Sequence, residues 1–307
     1  MKQKSTGHHG APSLFLRFAL SALLLGVALA GRSEPIPTGS GQRTLDVAGT
    51  AIELYTYKPA NYAGGPLLLS LHGTNRNADG YRDYTKPLAD RLGLLVVAPK
   101  FDGERFPVWR YQNGGIARAS GKADTKAVTV SPESQWTGRV FLRIIEAVSA
   151  DEGRPGLPYY LIGHSAGGQT LSRFAAFVSN KAQRIVIANP STYVWPTRDA
   201  GFPYGFGGLP EPFSSDDAIR RYLAQPVILL LGTADINHDR NLVVTEGAMR
   251  QGANRYERGL NAFREARDLA QEKGWEFNWR LVEVPGVGHS ARRMYASPQA
   301  EAALFSN

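Results

Sequence analysis

The chain has 307 residues, 43% of them hydrophobic and 20% charged, with a formal net charge of +8 and no cysteine. This balance excludes a disordered or fibrous chain, and the length suffices to bury a large core without a disulfide or metal staple. The lack of cysteine also excludes thiol nucleophiles, zinc–thiolate sites and lipid attachment through an N-terminal cysteine.

The first residues have the three-part pattern of a secretory leader. Lys2, Lys4 and Arg17 make a positive start without acids, residues 18–30 are an uncharged apolar run, and Ala28-Leu29-Ala30 is a small-residue cleavage pattern. The run is shorter than the roughly 20 residues that a spanning helix needs, so cleavage rather than anchoring is expected. Residues 1–30 are therefore read as a signal peptide, which predicts a secreted or periplasmic protein with no stable membrane span after cleavage. The remaining basic residues are scattered, which describes a solvated surface, and no nucleic-acid-binding motif accompanies them.

Residues 31–42 are rich in Pro, Gly and Ser and read as a flexible lead-in. Residues 44–59 alternate around Gly49, as an antiparallel hairpin does. Strands and helices then take turns. Strands are predicted at 66–71, 94–99, 159–162, 184–188, 227–231 and 279–284, and helices at 81–92, 133–150, 167–178, 255–273 and near Pro298. This alternation predicts an α/β fold, a mostly parallel central sheet with helices on both faces, whose ligands sit beyond the carboxyl ends of the strands. Two long segments, 101–132 and 189–213, show no period. The second carries Tyr193 and Trp195, which are expected to line a substrate pocket.

Gly163-His164-Ser165-Ala166-Gly167 follows an apolar strand and opens a helix with Leu171, Phe174, Ala175 and Val178 at helical spacing. A sharp turn in that context projects a serine hydroxyl above the sheet, so Ser165 is the candidate nucleophile. A hydroxyl needs a base. Of the six histidines, His8 and His9 lie in the leader, His72 sits in a turn after the first core strand, His164 adjoins Ser165 and His238 lies beyond the acid candidate. His289 remains, in a Gly-rich loop after the last strand. The orienting carboxylate is Asp235, just past the strand at 227–231, with Asp239 as its rival. Backbone N–H groups of Ala166 and Thr74, with Asn75 second, are the expected oxyanion donors. Asp235, Asn237, Asp239 and Glu246 have the spacing of a calcium loop, but Arg240 stands where that loop needs glycine, so no metal is expected.

Leu71-His72-Gly73, Gly163 to Gly167, Gly232 to Asp235 and Pro285 to His289 come in the order oxyanion loop, nucleophile, acid, base. In this the chain resembles the α/β-hydrolase fold superfamily, and within it the secreted bacterial esterases of the polyhydroxybutyrate-depolymerase and feruloyl-esterase-like kind. The resemblance implies one catalytic domain over residues 43–307. It also implies hydrolysis of a small-molecule or polymeric carboxylic ester through an acyl-enzyme, with no cofactor. Amide hydrolysis by the same residues and a non-catalytic binding module on this fold are the rival expectations.

Overall fold

The computed structural model describes residues 34–119 and 128–305. The signal peptide assigned to residues 1–30 lies outside the described residues, as do residues 31–33 and part of the 101–132 segment.

In chain order, β1 (Gly39–Val47) and β2 (Thr50–Lys58) form the expected antiparallel hairpin. β1 begins inside the stretch read as a flexible lead-in. Ile36, just ahead of it, is buried, and its N–H donates to Glu152 Oε1 at 2.7 Å, so residues 36–42 are docked rather than loose. β3 (Leu67–Leu71), α1 (Ala78–Leu92) and β4 (Leu95–Lys100) come next. Within the 101–132 segment, β5 (Ala117–Ala119) and β6 (Val128–Val130) pair as a small antiparallel ribbon. A short 3₁₀ turn at Glu133–Gln135 leads into α2 (Thr137–Asp151). Then come β7 (Tyr159–His164), α3 (Ala166–Phe177), β8 (Arg184–Ala188), α4 (Asp216–Leu223) and β9 (Val227–Gly232). The chain ends with α5 (Glu246–Met249), α6 (Arg255–Lys273), β10 (Arg280–Val284), α7 (Ala291–Tyr295) and α8 (Pro298–Phe305).

Eight strands make one sheet in the order β1-β2-β4-β3-β7-β8-β9-β10. β1–β2 and β2–β4 pair antiparallel and every other neighbour is parallel. The unbroken apolar runs of the central strands result from burial on both faces. Leu67, Leu69 and Leu71 of β3 point into one core with Phe141 and Ile144 of α2, Leu171 and Phe174 of α3 and Ala262 of α6. Leu68, between them, points into a second core with Leu88 of α1, Met294 and Tyr295 of α7 and Leu304 of α8. β9 divides in the same way, Leu229 and Leu231 to the first core and Ile228 and Leu230 to the second. Side chains of a strand alternate faces, so each run feeds two helical layers.

The 189–213 segment has only an isolated bridge between Gly201 and Gly207, yet it is fixed by polar side chains that have almost no exposure to water. Arg173 of α3 donates to Thr192 O (2.8 Å), Thr192 Oγ1 (3.0 Å) and Pro203 O (2.7 Å). Arg258 of α6 donates to Ser191 O at 2.6 Å, and Gln251 bonds both backbone groups of Tyr193. These donors satisfy carbonyls that no strand or helix would serve.

Candidate active site

Ser165 occupies the single residue between β7 and α3, at φ 58° and ψ −118°. A non-glycine residue with positive φ is strained, and such strain persists only where the surroundings enforce it. Here the enforcement is close packing. A Cβ on Gly163 would lie 2.6 Å from the Gly167 backbone, and a Cβ on Gly167 would lie 2.5 Å from Leu71 O. Both positions must be glycine for β7, α3 and β3 to approach this closely. The Ser165 N–H donates to Ala188 O at 2.9 Å, which ties the turn to β8. The side chain that results is nearly buried, with its hydroxyl in reach of one imidazole.

That imidazole is His289. Ser165 Oγ lies 3.0 Å from His289 Nε2, and His289 Nδ1 lies 2.7 Å from Asp235 Oδ2. Asp235 is acceptor-only when ionised, so Nδ1 carries the proton and Nε2 is left to accept from the hydroxyl. The loops after β9 and β10 are laced together. Thr233 N donates to Val284 O and Ala234 N to Val287 O, both at 3.1 Å, and Gly286 N donates to Thr233 Oγ1 at 2.9 Å. Parallel strands in register thus deliver the acid and the base side by side.

Asp239 is not beside His289 Nδ1. Both of its carboxylate oxygens are taken by Arg255, at 2.7 and 2.8 Å, and this pairing pulls its carboxyl down to about 2. Arg255 is fully buried at the start of α6, and its Nη1 also lies 3.6 Å from Asp235 Oδ1. One buried guanidinium therefore separates the two aspartates: it grips the half-exposed one and faces the buried one at the oxygen that His289 does not use. Residue spacing alone gave no sign of Arg255.

His72 and His164 also have defined places. His72 is fully buried; its Nε2 accepts from Phe101 N–H at 3.0 Å and its Nδ1–H donates to Gly73 O at 2.9 Å. Arg76 donates to Phe101 O and Phe106 O, so the turn after β3 is pinned from both ends. That turn abuts the serine: a Cβ on Gly73 would sit 3.7 Å from Ser165 Cβ. Among the described residues neither Thr74 N–H nor Ala166 N–H has an acceptor. His164, buried under the site, has its ring centroid 4.5 Å from that of His289.

The open space beside Ser165 is a cleft of about 260 Å³, bordered by Gly73, Thr74, His164, Ser165 and His289. The expectation that Tyr193 and Trp195 form its wall is corrected. Tyr193 is wholly buried in the first core, drawn in by Gln251 and Arg258, and Trp195 borders a separate cavity with Thr197 and Tyr204. The aromatic residues of 189–213 pack inward because buried donors hold their backbone, and the cleft is walled instead by the turn after β3 and the start of α7.

Burial holds His72 down to about 3 and His164 well below the usual imidazole range. Both are neutral when folded, whereas the unfolded chain takes up protons below about 6.5. Their contribution to stability is complete above about pH 6.5 and is lost as pH falls from there toward 3, with a slope of at most about 1.4 kcal/mol per pH unit for each histidine. Urea melts are expected to give lower stability at pH 5.5 than at pH 7.5, with His164→Gln showing a shallower dependence. Equal stability of the parent protein at both values would contradict this.

No family model and no curated protein sequence matches the chain. Solved structures do. The poly(3-hydroxybutyrate) depolymerase LpqC from Bordetella parapertussis is 32% identical, with a TM-score of 0.77 over 88% of this chain and 91% of that one. Poly(aspartic acid) hydrolase-1 from Sphingomonas sp. KT-1 is 29% identical, with a TM-score of 0.78 over 86% of this chain and 98% of that one. An S-formylglutathione hydrolase from Agrobacterium tumefaciens shares the fold at 17% identity, with a TM-score of 0.50 over 86% of this chain and 93% of that one. With its eight-stranded, mostly parallel sheet and near-complete coverage of LpqC, the chain is a hydrolase that belongs to the α/β-hydrolase family.

Proposed function

We propose that the protein is an exported serine hydrolase that cleaves carboxylic esters through an acyl-enzyme, with Ser165 as nucleophile, His289 as base and Asp235 as the carboxylate that orients it. The observation that carries this reading is the unbroken row from Ser165 Oγ through His289 to Asp235, with links of 3.0 and 2.7 Å, at the edge of an open cleft. Ser165 Oγ bonds to the acyl carbon while its proton passes to His289 Nε2, and the carbonyl becomes an oxyanion facing the free N–H groups of Thr74 and Ala166. Removing one preorganised donor of this kind typically raises the barrier by about 3–4 kcal/mol. The C–O bond to the alcohol then breaks and His289 returns the proton to the departing oxygen. Water repeats the sequence on the acyl-enzyme, giving its proton to His289 and releasing the acid and the Ser165 hydroxyl.

Asp235 suits its role because it is buried, fixed by the lacing of two loops and faced by the Arg255 guanidinium at 3.6 Å. It holds the tautomer and stabilises the imidazolium without taking the proton. Amide hydrolysis by the same residues is the second reading, favoured by the likeness to a poly(aspartic acid) hydrolase. Comparing turnover of matched p-nitrophenyl esters and p-nitroanilides separates the two.

Three substitutions test the assignment on folded protein with matched thermal melts. Ser165→Ala is expected to lower kcat by about 10⁴-fold or more and Asp235→Asn by about 10³–10⁴-fold, while Asp239→Asn loses less than about tenfold. Near-normal turnover by Asp235→Asn alongside a crippled Asp239→Asn would transfer the role to Asp239. Export is tested separately by N-terminal sequencing of protein recovered outside the cytoplasm. The expected first residue is Gly31, and an intact Met1 on membrane-bound protein would refute cleavage.

A further inference from the structure

The turn that carries the Thr74 N–H is made of two successive peptide units, and side chains hold almost every polar group in them. In the first unit, between His72 and Gly73, the carbonyl accepts from the Tyr111 hydroxyl at 2.8 Å. In the second, between Gly73 and Thr74, the carbonyl accepts from the His72 ring at 2.9 Å and from Arg76 N–H at 3.2 Å. A trans peptide is planar, and its N–H points opposite to its C=O. Fixing Gly73 O therefore fixes the direction of the Thr74 N–H, the one group of the second unit left without an acceptor among the described residues.

The remaining group of the first unit, the Gly73 N–H, meets Tyr81. This residue lies early in α1, is 5% exposed and borders the cleft. Its hydroxyl accepts from the Gly73 backbone. A Cβ on Gly73 would sit 2.7 Å from that oxygen, so only glycine allows the approach, and Ser165 Cβ lies 3.7 Å from the same point. The hydroxyl's other neighbour is His164 Nδ1, at 3.4 Å, and the His164 ring is the one that stacks against His289. Burial pushes the Tyr81 phenol far up, so it keeps its proton and can donate to His164 while accepting from Gly73. The ring is braced by Tyr84 and Tyr295, with centroids 5.6 and 6.2 Å away, which leaves the oxygen little freedom to move.

Resting on the serine-hydrolase reading, we infer that Tyr81 is a positioning residue: its hydroxyl holds the Gly73 peptide so that the Thr74 N–H stays aimed at the oxyanion, and it ties that turn to His164 beneath the base. Oxyanion donors act strongly because they are already in place when charge develops. Without the Tyr81 hydroxyl both donors survive, but the peptide ahead of Thr74 is held at one end only, by Tyr111. The loss is therefore smaller than the roughly 10²–10³-fold cost of removing a donor outright.

Tyr81→Phe keeps the ring and removes one oxygen. Purified parent and variant are compared on p-nitrophenyl acetate, with kcat expressed per site titrated by a fluorophosphonate, so that unfolded material drops out. In the variant kcat is expected to fall by about tenfold with KM within about twofold, the sign of an interaction realised in the transition state. Butylboronic acid, which bonds to the serine as a tetrahedral adduct with an oxygen at the oxyanion position, is expected to bind about tenfold more weakly, whereas butanamide, a planar mimic of the ground state, binds as before. A kcat per titrated site within about twofold of the parent's, or equal weakening of the boronate and the amide, overturns the inference, since the ring alone then accounts for Tyr81. An active parent with an unchanged variant sinks the inference alone; a parent that neither takes the label nor turns over the ester removes the hydrolase reading with it.

Discussion

The close approach of three backbone segments around Ser165 is the constraint on which the site depends. Gly163 and Gly167 let β7 and α3 meet within a distance that no side chain permits, with the Leu71 carbonyl of β3 pressed against the turn. The serine is left with a backbone conformation that costs of order 1–3 kcal/mol, held by the contacts of α3 with β7 and β3 and by the bond from its N–H to Ala188 O of β8. The strained turn sets direction. The serine side chain faces the loops beyond the strand ends rather than either core, the N–H of Ala166 is left free at the start of α3, and the turn after β3 lies alongside. Register between parallel strands then carries the same edge to β9 and β10, whose loops hold Asp235 and His289.

Charge around this edge is equally constrained. Arg255, without exposure to water, faces Asp235 and clamps Asp239, so two nearby carboxylates are kept in different roles. His164 beneath His289 and His72 beneath the turn after β3 are both buried and neutral, and both act as spacers with polar edges. His72 fixes the turn by accepting from one backbone group and donating to another, which only one tautomer of a neutral imidazole does.

Much of this was legible in the residues. Continuous apolar runs marked β3, β4, β7, β8 and β9 because each is buried on both faces, and the helical period of residues 255–273 matches α6 to the residue. The three residues that the structure brings into one row could be named because each lies just beyond a strand. The misreadings share a cause. β1 begins at Gly39 because Ile36 docks onto Glu152, a partner far along the chain. Tyr193 and Trp195 looked like pocket walls because their segment has no period, but Arg173, Gln251 and Arg258 draw that segment inward from two separate helices and a turn. Arg255 gave no signal at all, since an arginine opening a helix is ordinary until its burial is known. Interactions within a few residues were readable, and those set by tertiary partners were not. α7 is a middle case. At five residues it is too short for periodicity to find, and it forms because Ser290 caps it and Met294 and Tyr295 fill the second core.

The central claim is that Ser165 is activated by its surroundings, and covalent trapping tests it most directly. Purified protein treated with a fluorophosphonate, digested and analysed by mass spectrometry is expected to carry one adduct, on Ser165, with labelling blocked by prior unfolding. An adduct on another residue, or a folded protein that takes up no label, would contradict the account.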